Sequence, residues 1–367
     1  MADALKDMYH RGFFERLAER VKAVDPAFDA AAFVDRVLAD GWESLALKQR
    51  MRRAATALRE GLPPDYASAL DIALRTAESC GNGFEYMLFP DFVEAYGLDD
   101  PDRSVPALAA LTRYSSSEFA VRPFIVRYPE RMERQLLEWA EDENEHVRRL
   151  ASEGSRPRLP WGTALTAYKR DPAPTLRVLE KLKEDPSEYV RRSVANHLND
   201  ISKDHPALVL DIARRWLGVH PHTDWIVKHA CRTLLKKCDP DALALFGYAD
   251  ASGLRVDRFE LSSGDRLPWE GTLEASFALT LEGAFPRKLR IEYAIDYVKS
   301  NGARSRKLFK LSEREFDPGE TSMRFRQSFR EMSTRRHYPG AHRVSIVVNG
   351  EILAERAFQL LAQASES

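Results

Sequence analysis

Apolar positions along this chain change their period about two thirds of the way down. In residues 185–204, DPSEYVRRSVANHLNDISKD, Val190, Val194, Leu198 and Ile201 recur at helical spacing and mark one stripe for burial. Asp185 suits an N-terminal cap and Pro186 a first helical turn. The same rhythm predicts helices over 4–24, 28–39, 43–60, 64–79, 89–96, 103–121, 130–141, 144–154, 172–184, 186–202, 205–217 and 222–237. Clusters such as Gly61-Leu62-Pro63-Pro64 and Gly81-Asn82-Gly83 interrupt it. From about residue 260 the period becomes two: TLEASFALTL, RKLRIEYAIDYV, RKLFKLSE, TSMRFRQSFREM and HRVSIVVNGEILAERAFQL alternate apolar and polar residues. Asn349-Gly350 and Asn301-Gly302 predict hairpins.

The helical part contains a repeat. EDENEHVRRLASEG aligns with KEDPSEYVRRSVAN at an offset of 43 residues, laying Val147 on Val190 and Arg148-Arg149 on Arg191-Arg192. Each copy follows a shorter apolar helix, RMERQLLEWA or PTLRVLEKLK, and a looser third copy, HTDWIVKHACRTLLKK, carries Val227 about 37 residues further on. Helix pairs at such a period are the mark of a HEAT-type solenoid, because one pair cannot bury its apolar face alone. The alternating tail, about seven strands long, predicts a small immunoglobulin-like sandwich. The expected architecture is mostly α: a HEAT-like α-solenoid over 1–250, then an immunoglobulin-like β-sandwich over 260–367, with 246–262 as the junction.

Composition narrows the setting. A charged fraction of 30% beside an apolar fraction of 44% fits a soluble globular chain. The net charge of −1 creates no global field, so a polyanionic partner has to be met by local patches. No run approaches the ~18 apolar residues of a membrane span, and the charged N-terminus has no signal-peptide core. Cys80, Cys231 and Cys238 lack C-x-x-C spacing, as expected for reduced thiols, so a cytoplasmic monomer without a membrane partner is expected. No metal or cofactor is expected either. His220, His222, His229 and Asp224 do not follow a metal-ligand pattern, and Walker, Rossmann and G-x-S-x-G motifs are missing.

Candidate chemistry lies beside the apolar stripe. Arg192, Asn196 and Asp200 stand one turn apart, and the repeat offset carries Arg149 onto Arg192 and Glu153 onto Asn196. The second helix of each pair lines the concave wall of a solenoid, so these polar lines would lie side by side, with His229, Thr233 and Lys237 from the third copy. Such lines also serve as ladders that only hold repeats together. Two features point to a ligand instead. The linker SEGSRPRLPWG sets Arg156, Arg158 and Trp161 among prolines close behind Glu153, and TRYSSSEFAVRPF places Glu118 after three small hydroxyl residues. Carboxylates and an indole face suit a cation, whereas arginines suit phosphates.

At these residues the chain resembles the AlkC branch of the AlkC/AlkD-type DNA alkylation-repair glycosylases. The resemblance rests on LALKQRMR (45–52), SSEFAVRPF (116–124), EHVRRLASEGSRPRLPWG (145–162), DPSEYVRRSVANHLNDISKDHP (185–206), TDWIVKHACRTLLKK (223–237) and RRHYPGAHRVSIVVNG (335–350). It therefore covers almost the whole chain. It implies hydrolysis of the N-glycosidic bond of cationic alkylated bases, 3-methyladenine and by extension 3-methylcytosine, in double-stranded DNA. Motif by motif, Glu118, Glu153, Trp161 and Asp200 fall on the family's active-site positions, and Arg149 and Arg192 on its DNA-facing line.

Asp200 is the expected stabiliser of an oxocarbenium-like transition state, and without a placed Lys nucleophile the enzyme is expected to be monofunctional. Arg156, Arg158, Lys203 and Lys237 are further candidates for phosphate contact. In the β part, Lys299, Arg304, Arg306, Lys307 and Lys310, with the loop Arg335, Arg336 and His337, are expected to clamp the duplex. The alternatives are a non-catalytic HEAT scaffold binding DNA or protein on its concave surface, and an enzyme acting on a small nucleoside.

Overall fold

The computed structural model describes residues 5–248, 250–331 and 336–363, and the chain divides into two compact units at Ala230/Cys231.

The first unit is helical throughout. Its last three helix pairs are Pro129–Trp139 with Glu145–Gly154, Ala173–Leu182 with Glu188–Ile201, and Pro206–Trp216 with Pro221–Ala230. The second helices pack side by side in sequence order, which is how HEAT-like repeats share one core. The stripe legible in sequence is that core: Val147, Val190, Val194, Leu198, Ile201 and Val227 are at most 1% exposed. Each such side chain contributes roughly 1.5–3 kcal/mol through burial.

The repeats begin alike because an arginine closes each turn. Arg148 donates to the carbonyls of Asp142 and Glu143 at 2.9 and 2.8 Å, and Arg191 donates to those of Asp185 and Pro186, both at 2.7 Å. Asp142 and Asp185 each accept the backbone N–H two residues on, at 2.8 Å. Asp185 is therefore not the helix cap. Ser187 holds that position, and Asp185 builds the turn before it while taking a bidentate pair from Arg148 at 2.6 and 3.1 Å. This link between successive repeats is a structural ladder.

Some of the expected helices are broken. The segment 103–121 is helical only over Pro101–Leu111, and helix resumes at Val121–Arg127. Between them Ser117 donates its hydroxyl to the Leu108 carbonyl at 2.7 Å and its amide to Thr112 Oγ1, so side chains replace the helical ladder. The segment 222–237 stops at Ala230, and Arg232–Lys236 and Pro240–Leu245 belong with the second unit. The expected helix over 4–24 is interrupted at residues 7–10, and a helix runs over Arg11–Val24, where His10 Nδ1 accepts from the Phe13 amide.

The second unit is a two-sheet sandwich. Its strands are β1 (Leu254–Leu261), β2 (Arg266–Leu267), β3 (Thr272–Leu281), β4 (Arg287–Val298), β5 (Arg304–Phe316), β6 (Gly319–Ser328), β7 (Gly340–Val348) and β8 (Glu351–Leu360). The sheets run β1-β3-β6 and β2-β8-β7-β4-β5, so the described residues hold eight strands where about seven were expected. β1 and β2 both lie outside the stretches read as alternating, and β1 falls inside the segment read as a junction. A bulge between Asp257 and Glu260, with Arg258 at φ 50°, breaks the alternation of β1 and hid it. Asn349 and Gly350 have φ of 48° and 89°, the positive pair a two-residue hairpin demands, and they join β7 to β8. Leu289, Ile291, Tyr293, Ile295 and Tyr297 of β4 face the core, while Arg290, Glu292 and Asp296 lie on its other face, also buried. Among the described residues no helix is long and apolar enough to cross a membrane, and no group of three or more His, Cys, Asp or Glu residues could hold a metal ion.

Candidate active site

Glu118, Glu153 and Asp200 come from three separate elements and join one ion-pair network. Glu153 and Asp200 stand in the last turns of Glu145–Gly154 and Glu188–Ile201, and Glu118 lies in the turn before Val121–Arg127. A carboxylate at a helix C-terminus opposes the helix dipole, so both helix-borne acids need cations. Arg156 supplies one to each, with Nε 2.9 Å from Asp200 Oδ2 and Nη1 2.6 Å from Glu153 Oε1. Arg149 links Glu153 to Glu118, at 3.6 and 2.6 Å. Ser193 donates to Glu153 Oε2 at 2.6 Å, Ser116 to Glu118 Oε2 at 2.9 Å, and Lys203 Nζ to Asp200 Oδ1 at 3.0 Å. Glu153 and Arg156 are 6% exposed and Asp200 is 2% exposed, so these bonds fix each group in place.

Three carboxylates here face Arg149, Arg156, the nearby Arg122 and the ammonium of Lys203. The four cations outnumber the three carboxylates by one, so the wall is not acidic as a reading of Glu118, Glu153 and Asp200 alone suggests. Burial works to lower the pKa of Arg149 and Arg156, but the adjoining carboxylates outweigh it and hold both above their ordinary value. Arg122 has no carboxylate partner among the described residues. Burial, with the charge of Arg156 beside it, pulls its pKa down to about 10.

Trp161 stands on the loop that follows Glu153. Its side chain is 58% exposed and its backbone has φ 63°, a left-handed conformation costing a bulky residue about 1–3 kcal/mol. The loop is pinned on both sides of it. Lys48 Nζ donates to the Trp161 carbonyl at 2.7 Å while sitting 3.9 Å from the centre of the Phe119 ring. Arg122 donates to the Thr163, Gly154 and Arg156 carbonyls at 2.7, 2.8 and 2.9 Å.

The expected phosphate contacts separate into two kinds. Arg149 and Arg156 are turned inward: Arg149 lies between Glu118 and Glu153 with its guanidinium 4.8 Å from the Tyr189 ring centre, and Arg156 is buried. In the second unit His337 is 3% exposed, packed against Tyr297 and Phe329, and Arg306 makes a bidentate pair with Asp296, both bonds 2.8 Å. Lys310 pairs with Glu313. Arg306 and Lys310 are nonetheless exposed, and the remaining candidates face solvent as well. Arg192 pairs with Glu188 on the helix surface, Arg158 with Asp204, and Lys203 reaches Asp200 from an exposed position. Lys237, Lys299, Arg304 and Lys307 are exposed, as is Arg336 beside Glu331. Arg335 lies outside the described residues.

Sequence reasoning missed Lys48, Arg122 and Ser193 as parts of the site. The signal for Arg122 was its setting, a guanidinium between Val121 and Pro123-Phe124, since an arginine in an apolar run needs partners. His197 is fully buried and donates Nδ1–H to the Ser152 carbonyl at 3.0 Å. Burial, then the charge of Arg156, lower its pKa to about 3, which leaves the ring neutral.

Known proteins share this arrangement of units. Residues 114–234 match the family model of the DNA alkylation repair enzymes, and residues 255–362 match that of the C-terminal Ig-like domain of uncharacterised protein YhaZ. The class is thus that of DNA alkylation-repair proteins carrying an Ig-like unit behind their helical repeats. The chain is 48% identical over 361 residues to the uncharacterized protein YhaZ of Bacillus subtilis (strain 168), covering 98% of this chain and 100% of that protein. It is also similar to the Pseudomonas fluorescens alkylpurine DNA glycosylase AlkC, solved bound to DNA containing an abasic site analog. Identity there is 40%, the TM-score is 0.94, and 98% of this chain and 99% of that one are covered. The chain belongs to the AlkC-type family of DNA alkylation-repair proteins.

Proposed function

We propose that this chain is a monofunctional DNA glycosylase that hydrolyses the N-glycosidic bond of cationic alkylated bases, 3-methyladenine first and 3-methylcytosine second, in duplex DNA. The observation that carries this reading is Asp200. It is a nearly fully buried carboxylate whose two oxygens are held in fixed directions by Arg156 and Lys203, in one network with Glu153 and Glu118. Similarity over almost the full chain to an alkylpurine DNA glycosylase supports it.

An N3-alkylated purine already carries positive charge, so it departs without protonation by a general acid. Its departure moves positive charge onto the deoxyribose. A fixed carboxylate about 4 Å from that charge contributes on the order of 4 kcal/mol at an effective dielectric of about 20. Arg156 and Lys203 offset part of this, and in return they hold the carboxylate so that no reorganisation is needed at the moment of reaction. Glu118, whose hydrogen bonds engage only Oε2 among the described residues, orients the attacking water on this reading. Trp161 packs on the sugar or base through its exposed face. Arg149 and Arg156 act as struts for the carboxylates. Contact with phosphates falls to Arg158, Arg192, Lys203 and Lys237, and to Arg304, Lys307 and Arg336 of the second unit.

The alternative, a non-catalytic scaffold, draws support from one feature: each carboxylate of the cluster has a guanidinium partner, as structural ladders do. One assay separates the two. A duplex carrying 3-methyladenine is incubated with the protein, and both free base and strand breaks are measured. The glycosylase releases base without breaking the strand. Asp200→Asn keeps the fold and DNA affinity and loses at least about a hundredfold in rate. Release no faster than the uncatalysed background overturns the glycosylase reading and favours the scaffold.

A further inference from the structure

We propose that Arg122 is a positioning residue for the glycosylase reaction, its buried guanidinium setting the backbone that carries Glu153, Arg156 and Trp161. The inference rests on the glycosylase reading above. Arg122 is 2% exposed, and among the described residues no carboxylate lies within ion-pairing distance. An unneutralised charge in the interior is costly, and here it is met only by backbone oxygens.

Those oxygens belong to both ends of one loop. Nη1 takes the Gly154 and Arg156 carbonyls where the helix Glu145–Gly154 ends, and Nε takes the Thr163 carbonyl where the loop turns back. A planar fork can bridge such points, whereas a lysine ammonium on its flexible stem cannot. The packing around it is tight. A Cβ on Gly154 would meet Val121 Cγ1 at 2.6 Å, so that glycine lets its backbone close onto the helix that carries Arg122, and a Cβ on Gly162 would lie 3.3 Å from Arg122 Nε, so that glycine lets the loop close onto the guanidinium.

Two consequences follow for the reacting groups. The residue whose carbonyl Arg122 holds is Arg156, whose own guanidinium orients Glu153 and Asp200. The segment between the gripped carbonyls carries Trp161, and Lys48 holds the Trp161 carbonyl itself. Arg122 thus governs the acids and the indole together while touching none of them. A cavity of about 360 Å³, lined by Lys48, Phe119, Arg122, Gly162 and Thr163, opens beside its side chain and admits a small cation.

The test uses the full chain with Arg122→Ala and Arg122→Lys. Single-turnover release of 3-methyladenine, affinity for undamaged duplex, and amide hydrogen exchange over residues 155–163 are measured with and without methylguanidinium. Both variants are expected to lose about a hundredfold in rate with unchanged duplex affinity, as a displacement of about 1 Å would produce. Exchange in the loop should quicken, and methylguanidinium should restore rate and protection to Arg122→Ala but not to Arg122→Lys. Wild-type release rates in either variant, or loop exchange that does not change, overturn the proposal. Should Arg122→Ala not fold, Arg122→Lys decides by the same two readouts. Absence of release by the wild type sinks the glycosylase reading, and loop exchange then still judges the role of Arg122.

Discussion

Replacing Arg156 by methionine tests the reading of the site most directly, because sequence and structure give that residue different work. The Arg156 side chain is 8% exposed, and it bonds Glu153 and Asp200, which are 8% and 2% exposed, at 2.6 and 2.9 Å. Each contact is worth about 4 kcal/mol of gross Coulomb attraction at an effective dielectric of about 20. The desolvation of the ions offsets much of that in the intact protein. The variant has no such offset, since it leaves two carboxylates in the interior, a situation that costs about 3–5 kcal/mol. Arg149, 3.6 Å from Glu153, and Lys203, 3.0 Å from Asp200, remain and bring the expected loss toward 3 kcal/mol. Arg158→Met removes the more exposed pair with Asp204 and should cost only about 0–1 kcal/mol. Urea unfolding followed by circular dichroism measures both. Duplex affinity at several salt concentrations adds an independent check, because loss of a true phosphate contact lowers the slope of log K against log salt by about 0.9. An Arg156→Met protein as stable as wild type, with a shallower salt slope, would show that the guanidinium faces DNA and that the strut assignment is wrong.

Three further outcomes are expected. Trp161→Gly relieves a left-handed backbone at a residue already 58% exposed; the gain and the entropy cost of glycine roughly cancel. Stability in a urea melt should therefore stay within about 1 kcal/mol while base release falls sharply. For His197, the folded pKa of about 3 lies below the ordinary 6.5, so its stabilising contribution is complete above about pH 6.5 and is lost as pH falls below that. The loss reaches about 2 kcal/mol at pH 5, and unfolding of His197→Leu should lack this slope between pH 7 and 5. Gly350→Ala places a Cβ 2.8 Å from Leu243 Cδ1 and 2.9 Å from Cys238 Cβ at a φ of 89°, and should destabilise the second unit by about 2 kcal/mol in thermal melts.

What could be read from sequence was whatever depends on local period. Val190, Val194, Leu198 and Ile201 repeat at helical spacing because they face one core, and that core is where they lie. The repeat offset predicted neighbouring helices, and Asn349-Gly350 predicted a hairpin whose dihedrals it has. The direction in which a charged side chain points was not legible. Arg156 meets Asp200 from 44 positions away, and Arg306 meets Asp296 across a strand pair, so both looked like free cations in the linear order. The break at 112–120 was hidden for a related reason. Its serines and threonine satisfy backbone groups through their hydroxyls, which an apolar-period reading does not register.

The balance of charge around Asp200 changes what selectivity can mean on the glycosylase reading. A wall of bare carboxylates would draw cations of every kind from solution and would work against the approach of DNA. In this network the guanidiniums of Arg149 and Arg156 and the ammonium of Lys203 cancel the long-range field while leaving carboxylate oxygens at fixed positions. Attraction then acts only over the few ångströms at which the oxygens are resolved from their partners, and so only on charge that develops at the sugar of a docked nucleotide. An undamaged base carries no charge to begin that process, and it departs too poorly for a fixed carboxylate worth about 4 kcal/mol to rescue it. Discrimination therefore needs no base-shaped cavity. It needs carboxylates that cannot move, and that immobility is what the buried arginines provide.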